Sequence, residues 1–170
     1  MKFLLGFLCA IVLIAGGGWL YLKYGHLPVA TNDQAFPLEE AIVKVPLHSR
    51  IAREMQQPPF SASEDAFEQG ASIYKEECAD CHGLPGQPVG YAKWMYPKAP
   101  QLWQKHTKNS VVGVSDDDPG ETFWKVKNGI RLSGMPSFQH ILSDAEIWDV
   151  SLLLKNADQP LPDPVKAELK

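Results

Sequence analysis

The chain has 170 residues and a formal net charge of −4, with 45% hydrophobic, 21% charged and 10% aromatic side chains. These proportions describe a globular domain with accessory segments, and 16 basic against 20 acidic residues leave no chain-wide basic surface for nucleic acid. Three cysteines are too few for a disulfide scaffold or a four-thiolate zinc site.

Residues 3–22 carry no charge and are flanked by Lys2 and Lys23. A helix of that length spans about 30 Å, the thickness of a bilayer's hydrocarbon layer. Trp19, Tyr21 and Tyr24 at its far end suit the headgroup region. The segment reads as a transmembrane anchor over residues 1–24. A cleaved signal peptide is the other reading, with residues 3–15 as its apolar stretch and Ala15 and Gly17 as small residues near a cleavage point. Either way, everything after about residue 24 is exported. Cys9 inside the run is a small apolar side chain.

Residues 25–60 contain Pro28, Pro37, Pro46, Pro58 and Pro59, a pattern that predicts no long continuous helix. Leu47, Ile51, Ala52 and Met55 are spaced for one short amphipathic face. The stretch reads as a tether partly packed on the domain that follows, which is expected over residues 61–157.

That domain carries three helix signals. Ser63 is placed to cap a helix through Ala66, Phe67, Gly70, Ile73 and Tyr74. Pro119 suits a first helical turn, Phe123, Trp124 and Val126 follow, and Gly129 is placed as the stop. Ser143-Asp-Ala-Glu146 is a capping box ahead of Ile147, Trp148, Val150, Ser151 and Leu154. No strand alternation appears, so the fold class is all-α with long loops. Residues 158–170, with prolines at 160, 162 and 164, read as a tail. Three short helices supply little core for so much ordered loop, which implies that something else occupies the centre.

Cys78-Ala-Asp-Cys81-His82 is a C-x-x-C-H pattern. Two thiols three positions apart can each add to one vinyl group of a haem, and the adjacent imidazole is then held under the iron. A thioredoxin-like redox pair would need a βαβ pattern around it, and a zinc site a second ligand pair at suitable spacing; neither is present in the sequence. One covalently attached haem c is the reading.

With that motif the chain resembles the class I c-type cytochromes over residues 62–157. Gly70 and Tyr74 precede Cys78-Ala-Asp-Cys81-His82-Gly83, and Pro100-Gln-Leu102, Phe123-Trp124, Asn128-Gly-Ile-Arg131 and Gly134-Met135-Pro136-Ser-Phe138 follow. A tryptophan-bearing terminal helix closes the pattern. The resemblance implies a small all-α cytochrome c domain in which haem fills the missing core. It also implies His82 as the proximal ligand and Met135 as the distal one, with the Pro100 carbonyl receiving the second imidazole N–H and Leu102 packing on the haem face. A thioether is a soft, neutral ligand that favours ferrous iron. Tyr96, Trp103 and Arg131 are candidates for the haem propionates, each with a plain core or surface role as its alternative. Met55 and Met95 are weaker ligand candidates, and His106 and His140 are the rival imidazoles.

Residues 84–99 form a long stretch rich in proline, glycine and aromatics, which reads as a lid on the haem edge or a docking loop. The charge is uneven: −6 over residues 33–80, +3 over 84–142 and −3 over 143–170. Lys93, Lys98, Lys105, Lys108, Lys125, Lys127 and Arg131 are therefore candidates for a face that meets an acidic or membrane-embedded redox partner, with an ordinary solvated surface as the alternative. The expected function is one-electron transfer by a non-enzymatic, single-pass protein of the cell inner membrane, with its haem domain on the periplasmic side. A fixed subunit of a respiratory or dehydrogenase complex, a haem enzyme or gas sensor with an open sixth position, and an assembly factor with a vestigial haem stand as the alternatives.

Overall fold

Prolines at 46 and in residues 160–164 do not stop the chain from forming helices there, and this is the main departure from the sequence expectation. The computed structural model describes residues 2–107 and 110–170. Among them are seven α-helices and no strand. The chain divides into two units, residues 1–41 and 42–170.

In the first unit, α1 (Lys2–Tyr24) is uncharged between its terminal lysines and exposed along its length. It is long and apolar enough to cross a membrane. Lys23 stands over the rings of Trp19 and Tyr24, at 5.0 and 5.2 Å. The Asp33 carboxylate closes a turn by accepting from the Val29 and Ala30 amides, 2.9 Å each.

α2 (Glu39–Glu54) contains Pro46. The prolyl nitrogen cannot donate to the Ile42 carbonyl, but both residues are exposed, so that carbonyl is open to solvent. Within residues 25–60, α2 belongs to the second unit from Ile42 onward. Its contact is Ile51, which is buried; Leu47 is half-buried, whereas Ala52 and Met55 face solvent. Trp124 Nε1 donates to the Glu54 carboxylate at 2.9 Å, and Arg50 lies 5.6 Å from the centre of the Trp124 ring.

The three expected helices form with their expected starts, and the second with its expected stop. α3 (Glu64–Glu77) starts where the Ser63 hydroxyl accepts from the Ala66 amide, a cap whose removal costs about 1 kcal/mol. Cys78 ends α3 and opens the single turn α4 (Ala79–His82). α5 (Pro119–Asn128) is capped by Asp118 and stops at Gly129, whose φ of +68° a side chain would strain. α6 (Asp144–Lys155) begins with the complete Ser143–Glu146 capping box. α3 and α6 cross at Gly70, where a Cβ would lie 2.5 Å from the Asp149 carbonyl oxygen. Only glycine allows the two backbones to approach so closely.

The last residues are not a tail. α7 (Asp163–Glu168) packs on α3, with Leu161, Val165 and Leu169 buried. Pro162 and Pro164 sit at the start of this helix, where a missing N–H costs nothing.

The apolar core is in two parts. One joins α3, α6 and α7 through Ala71, Tyr74, Leu102, Val150, Leu153, Leu154, Val165 and Leu169. The other joins α5 and α6 through Phe123, Val126, Phe138, Ile147 and Trp148, with the Phe123 and Trp148 rings stacked at 4.1 Å. α6 contributes to both.

Candidate functional site

The C-x-x-C-H residues lie on one turn. The Cys78 amide still bonds to Tyr74 at the end of α3, while its carbonyl accepts from the His82 amide at 2.9 Å. Gly83 then reverses the chain at a φ of +74°. A Cβ there would lie 2.7 Å from Gln101 Oε1, so the turn needs glycine for both reasons. Tyr74, fully buried, donates its hydroxyl to the Gly83 carbonyl at 2.7 Å and ties the turn to α3.

Cys78 and Cys81 are free and half-buried. Burial, with Glu77 as the next cause, pushes the Cys78 thiol up to about 12. A redox dithiol needs a stabilised thiolate, so this environment opposes a thioredoxin-like role. Among the described residues no group of three or more His, Cys, Asp or Glu is placed to hold a metal ion, which leaves the pair without the rest of a zinc set.

His82 Nδ1 is 2.8 Å from the Pro100 carbonyl oxygen. A carbonyl only accepts, so Nδ1 carries the proton and Nε2 keeps its lone pair. Burial lowers the His82 pKa, against the opposing effect of that hydrogen bond, and so favours the neutral ring. The neighbouring residues hold the arrangement. Leu102, buried in the α3/α6/α7 core, donates its amide to the His82 carbonyl at 3.1 Å. Gln101 donates to the Cys81 carbonyl at 3.1 Å and accepts from the Val89 amide at 2.7 Å. Gln101 was not singled out from sequence, and its position between Pro100 and Leu102 was the available signal.

Met135 is half-buried and packs on the α5/α6 core. Its loop is pinned at several points: Ile130 amide to Met135 carbonyl at 3.2 Å, Met135 amide to Ser133 Oγ at 3.2 Å, Ser137 hydroxyl to Lys127 carbonyl at 2.8 Å, and Phe138 amide to Val126 carbonyl at 3.1 Å. His106 and His140 are exposed. Met95 is half-buried, and its methyl group lies against Gly134.

Of the residues considered for propionates, Tyr96 and Arg131 are exposed. Trp103 Nε1 is buried without a hydrogen-bond partner, and its ring meets Tyr74 edge-on at 5.7 Å. Of the basic residues, Lys125 pairs with Glu121 at 2.6 Å and Asp117 at 3.5 Å, and Lys127 pairs with Asp144 at 2.7 Å. Those charges are locally balanced. Lys93, Lys98, Lys105 and Arg131 remain exposed, and Lys108 lies outside the described residues.

Residues 65–152 match the family model described as cytochrome c oxidase, cbb3-type, subunit III. The chain belongs to this cytochrome c family. It is also 30% identical over 96 residues to a thiosulfate dehydrogenase of Stutzerimonas stutzeri (strain A1501), a match covering 54% of this chain and 27% of that relative. The chain thus spans about a quarter of the relative's length. No solved structure matches the chain. Membership of a cytochrome c family implies a covalent c-type haem, and the residues fit one. Two thiols stand on the turn that ends in an imidazole of fixed tautomer, and the Trp103 N–H is a buried donor left without a partner.

Proposed function

We propose that this cytochrome c domain carries single electrons and does not transform a substrate. One haem would be attached through Cys78 and Cys81 and held between His82 and Met135. When bound, the haem supplies an iron that gains or loses one electron. The protein's part is to keep that change small in structural terms. Pro100 fixes the His82 ring and raises its basicity, so the proximal side needs no rearrangement between oxidation states. The pinned loop around Met135 presents a thioether, which favours the reduced state and fills the remaining position against water and exogenous ligands. Trp103 Nε1 would donate to a propionate, and the two apolar clusters would gain a shared wall.

The observation that carries the reading is the His82–Pro100 hydrogen bond on a turn bearing two free thiols. α1 would anchor the protein in the inner membrane with the haem domain on the periplasmic side, where a tether raises its effective concentration near membrane-bound redox partners. A second reading, a fixed haem subunit of a larger complex, draws on the matching family's description as an oxidase subunit. Mild detergent extraction separates the two: a carrier comes out alone, a subunit with stoichiometric companions.

The ligand assignment is tested by carbon monoxide added to the reduced protein. The expected result is no prompt change in the visible spectrum of wild type, which binds only slowly, and a prompt shift for Met135→Ala. A prompt shift in wild type overturns the closed six-coordinate site, and the carrier role with it.

A further inference from the structure

The stretch between the C-x-x-C-H turn and Pro100 is tied to the candidate site on both sides. At its start, the Val89 amide donates to Gln101 Oε1 at 2.7 Å, and the Tyr91 hydroxyl donates to the Asp80 carbonyl. Both partners belong to the proximal side: Asp80 lies within the motif, and Gln101 follows the proline that holds His82. A 3₁₀ turn over Ala92–Trp94, with Ala92 buried, then carries the chain to Met95. There it reaches the distal side. A Cβ on Gly134 would lie 2.7 Å from the Met95 methyl carbon, closer than a real side chain approaches, so Met95 occupies the space that the missing side chain leaves. Gly134 directly precedes Met135.

We infer that residues 88–96 form a strap linking the proximal turn to the distal loop, and that Met95 is a positioning residue that holds the Met135 loop closed. The inference rests on Met135 as the distal ligand. Releasing a thioether from iron requires its loop to swing outward. The Ile130, Ser133 and Ser137 hydrogen bonds fix the loop to its own base, whereas Met95 touches it from a separate segment. The strap is anchored by Gln101 and Asp80, so the Met95 contact holds Gly134 from a segment tied to the proximal side. The sequence has the residues this needs: glycine at 134, where a methyl group must fit, and a long apolar side chain at 95. The strap thereby sets how readily exogenous ligands reach the sixth position, without touching the iron.

The test is the rate of carbon monoxide binding to the reduced, haem-loaded full chain, read with the thioether-to-ferric-iron charge-transfer band of the oxidised form. Met95→Ala is expected to keep that band and to bind carbon monoxide about tenfold faster or more, the size of effect seen when the support of a metal ligand is removed. Met95→Leu retains the bulk without the sulfur and should bind at close to the wild-type rate. Gly134→Ala, which displaces the flexible tip of Met95, should reproduce the Met95→Ala rate and keeps the test available if Met95→Ala does not fold. Unchanged rates in Met95→Ala and Gly134→Ala overturn the strap. A band lost in Met95→Leu but kept in Met135→Ala would make Met95 itself the ligand, and would also overturn the Met135 assignment. If the band is lost only in Met135→Ala and the two rates do not move, the ligand assignment survives and the strap alone fails.

Discussion

The His82 imidazole and the Pro100 carbonyl, eighteen residues apart, are joined by a 2.8 Å hydrogen bond that leaves the imidazole a single free lone pair. The bond is as good as the position of the Pro100 carbonyl, and that position is set from both sides. Leu102 ties the segment to the backbone of His82, and Gln101 ties it to Cys81 and Val89. The carbonyl that fixes the ring is therefore held by the turn that bears the ring.

Gln101→Ala removes two of these ties and leaves the Cys81 carbonyl and the Val89 amide without partners. Unpaired groups of this kind cost about 1–3 kcal/mol each when water does not reach them. The expected loss is about 2 kcal/mol, because the site is only partly buried. Gln101→Glu still accepts from Val89 but sets a carboxylate oxygen against the Cys81 carbonyl, and should lose at least as much. Urea unfolding of the haem-loaded protein gives both values; a Gln101→Ala midpoint equal to wild type would mean that the clasp contributes nothing.

Gly70 is predicted to be the least substitutable glycine of the α3/α6 crossing. An added Cβ would meet the backbone of Asp149 and Val150 at 2.5 and 3.1 Å, and neither helix can yield without moving the core on both sides. Gly70→Ala should destabilise the domain by about 2 kcal/mol or more. Gly90→Ala, where a Cβ meets nothing within 4 Å, should stay within about 0.5 kcal/mol of wild type. Thermal denaturation of the pair in parallel checks the contrast, and equal midpoints would mean that the helices separate freely.

Local chemistry made much of this fold legible in the sequence. Ser63, Asp118-Pro119, Gly129 and the Ser143–Glu146 box each satisfy orphaned helix-end groups through nearest neighbours, so their spacing alone marks the helix ends. The C-x-x-C-H turn is local for the same reason. The full length of α2 and the existence of α7 are less legible, because proline signals a helix break. Pro46 is tolerated on an exposed helix face, and Pro162 and Pro164 lie at a helix start. The apolar spacing of Leu161, Val165 and Leu169 was present, but its meaning depends on α3 lying opposite. Gln101 and Met95 were illegible as contributors because their partners come from other segments, which no local pattern reveals.

Leu169 gives the C-terminal correction a number. Its side chain is 2% exposed and lies in the same cluster as Ala71 and Tyr74. A tail residue could be truncated freely; a core leucine could not. Leu169→Ala should cost about 2–4 kcal/mol from lost burial and the cavity left behind. Lys170→Ala, one residue on and exposed, is the matched control and should stay within about 0.5 kcal/mol. A Leu169→Ala midpoint equal to that control would return residues 158–170 to the role of a tail.

The docking of α2 should depend on pH through Glu54. Its carboxyl is held below the ordinary value of 4.5, first by the Trp124 N–H and then by Arg50. A carboxylate whose folded pKa is depressed adds stability that is complete above its unfolded pKa and is lost as pH falls through the folded one. The contribution from the Glu54–Trp124 bond should thus be constant from neutral pH down to about 4.5 and fade below it. Trp124→Phe keeps the ring under Arg50 but removes the donor, so its stability deficit relative to wild type should shrink over the same acidic range. Glu54→Gln keeps an acceptor for Trp124 without a titrating proton. Its unfolding midpoint should fall less steeply in acid than that of wild type. Urea midpoints measured across that range for the three proteins decide the matter: a Trp124→Phe deficit that does not change with pH would mean that the ionised carboxylate is irrelevant to how α2 is held.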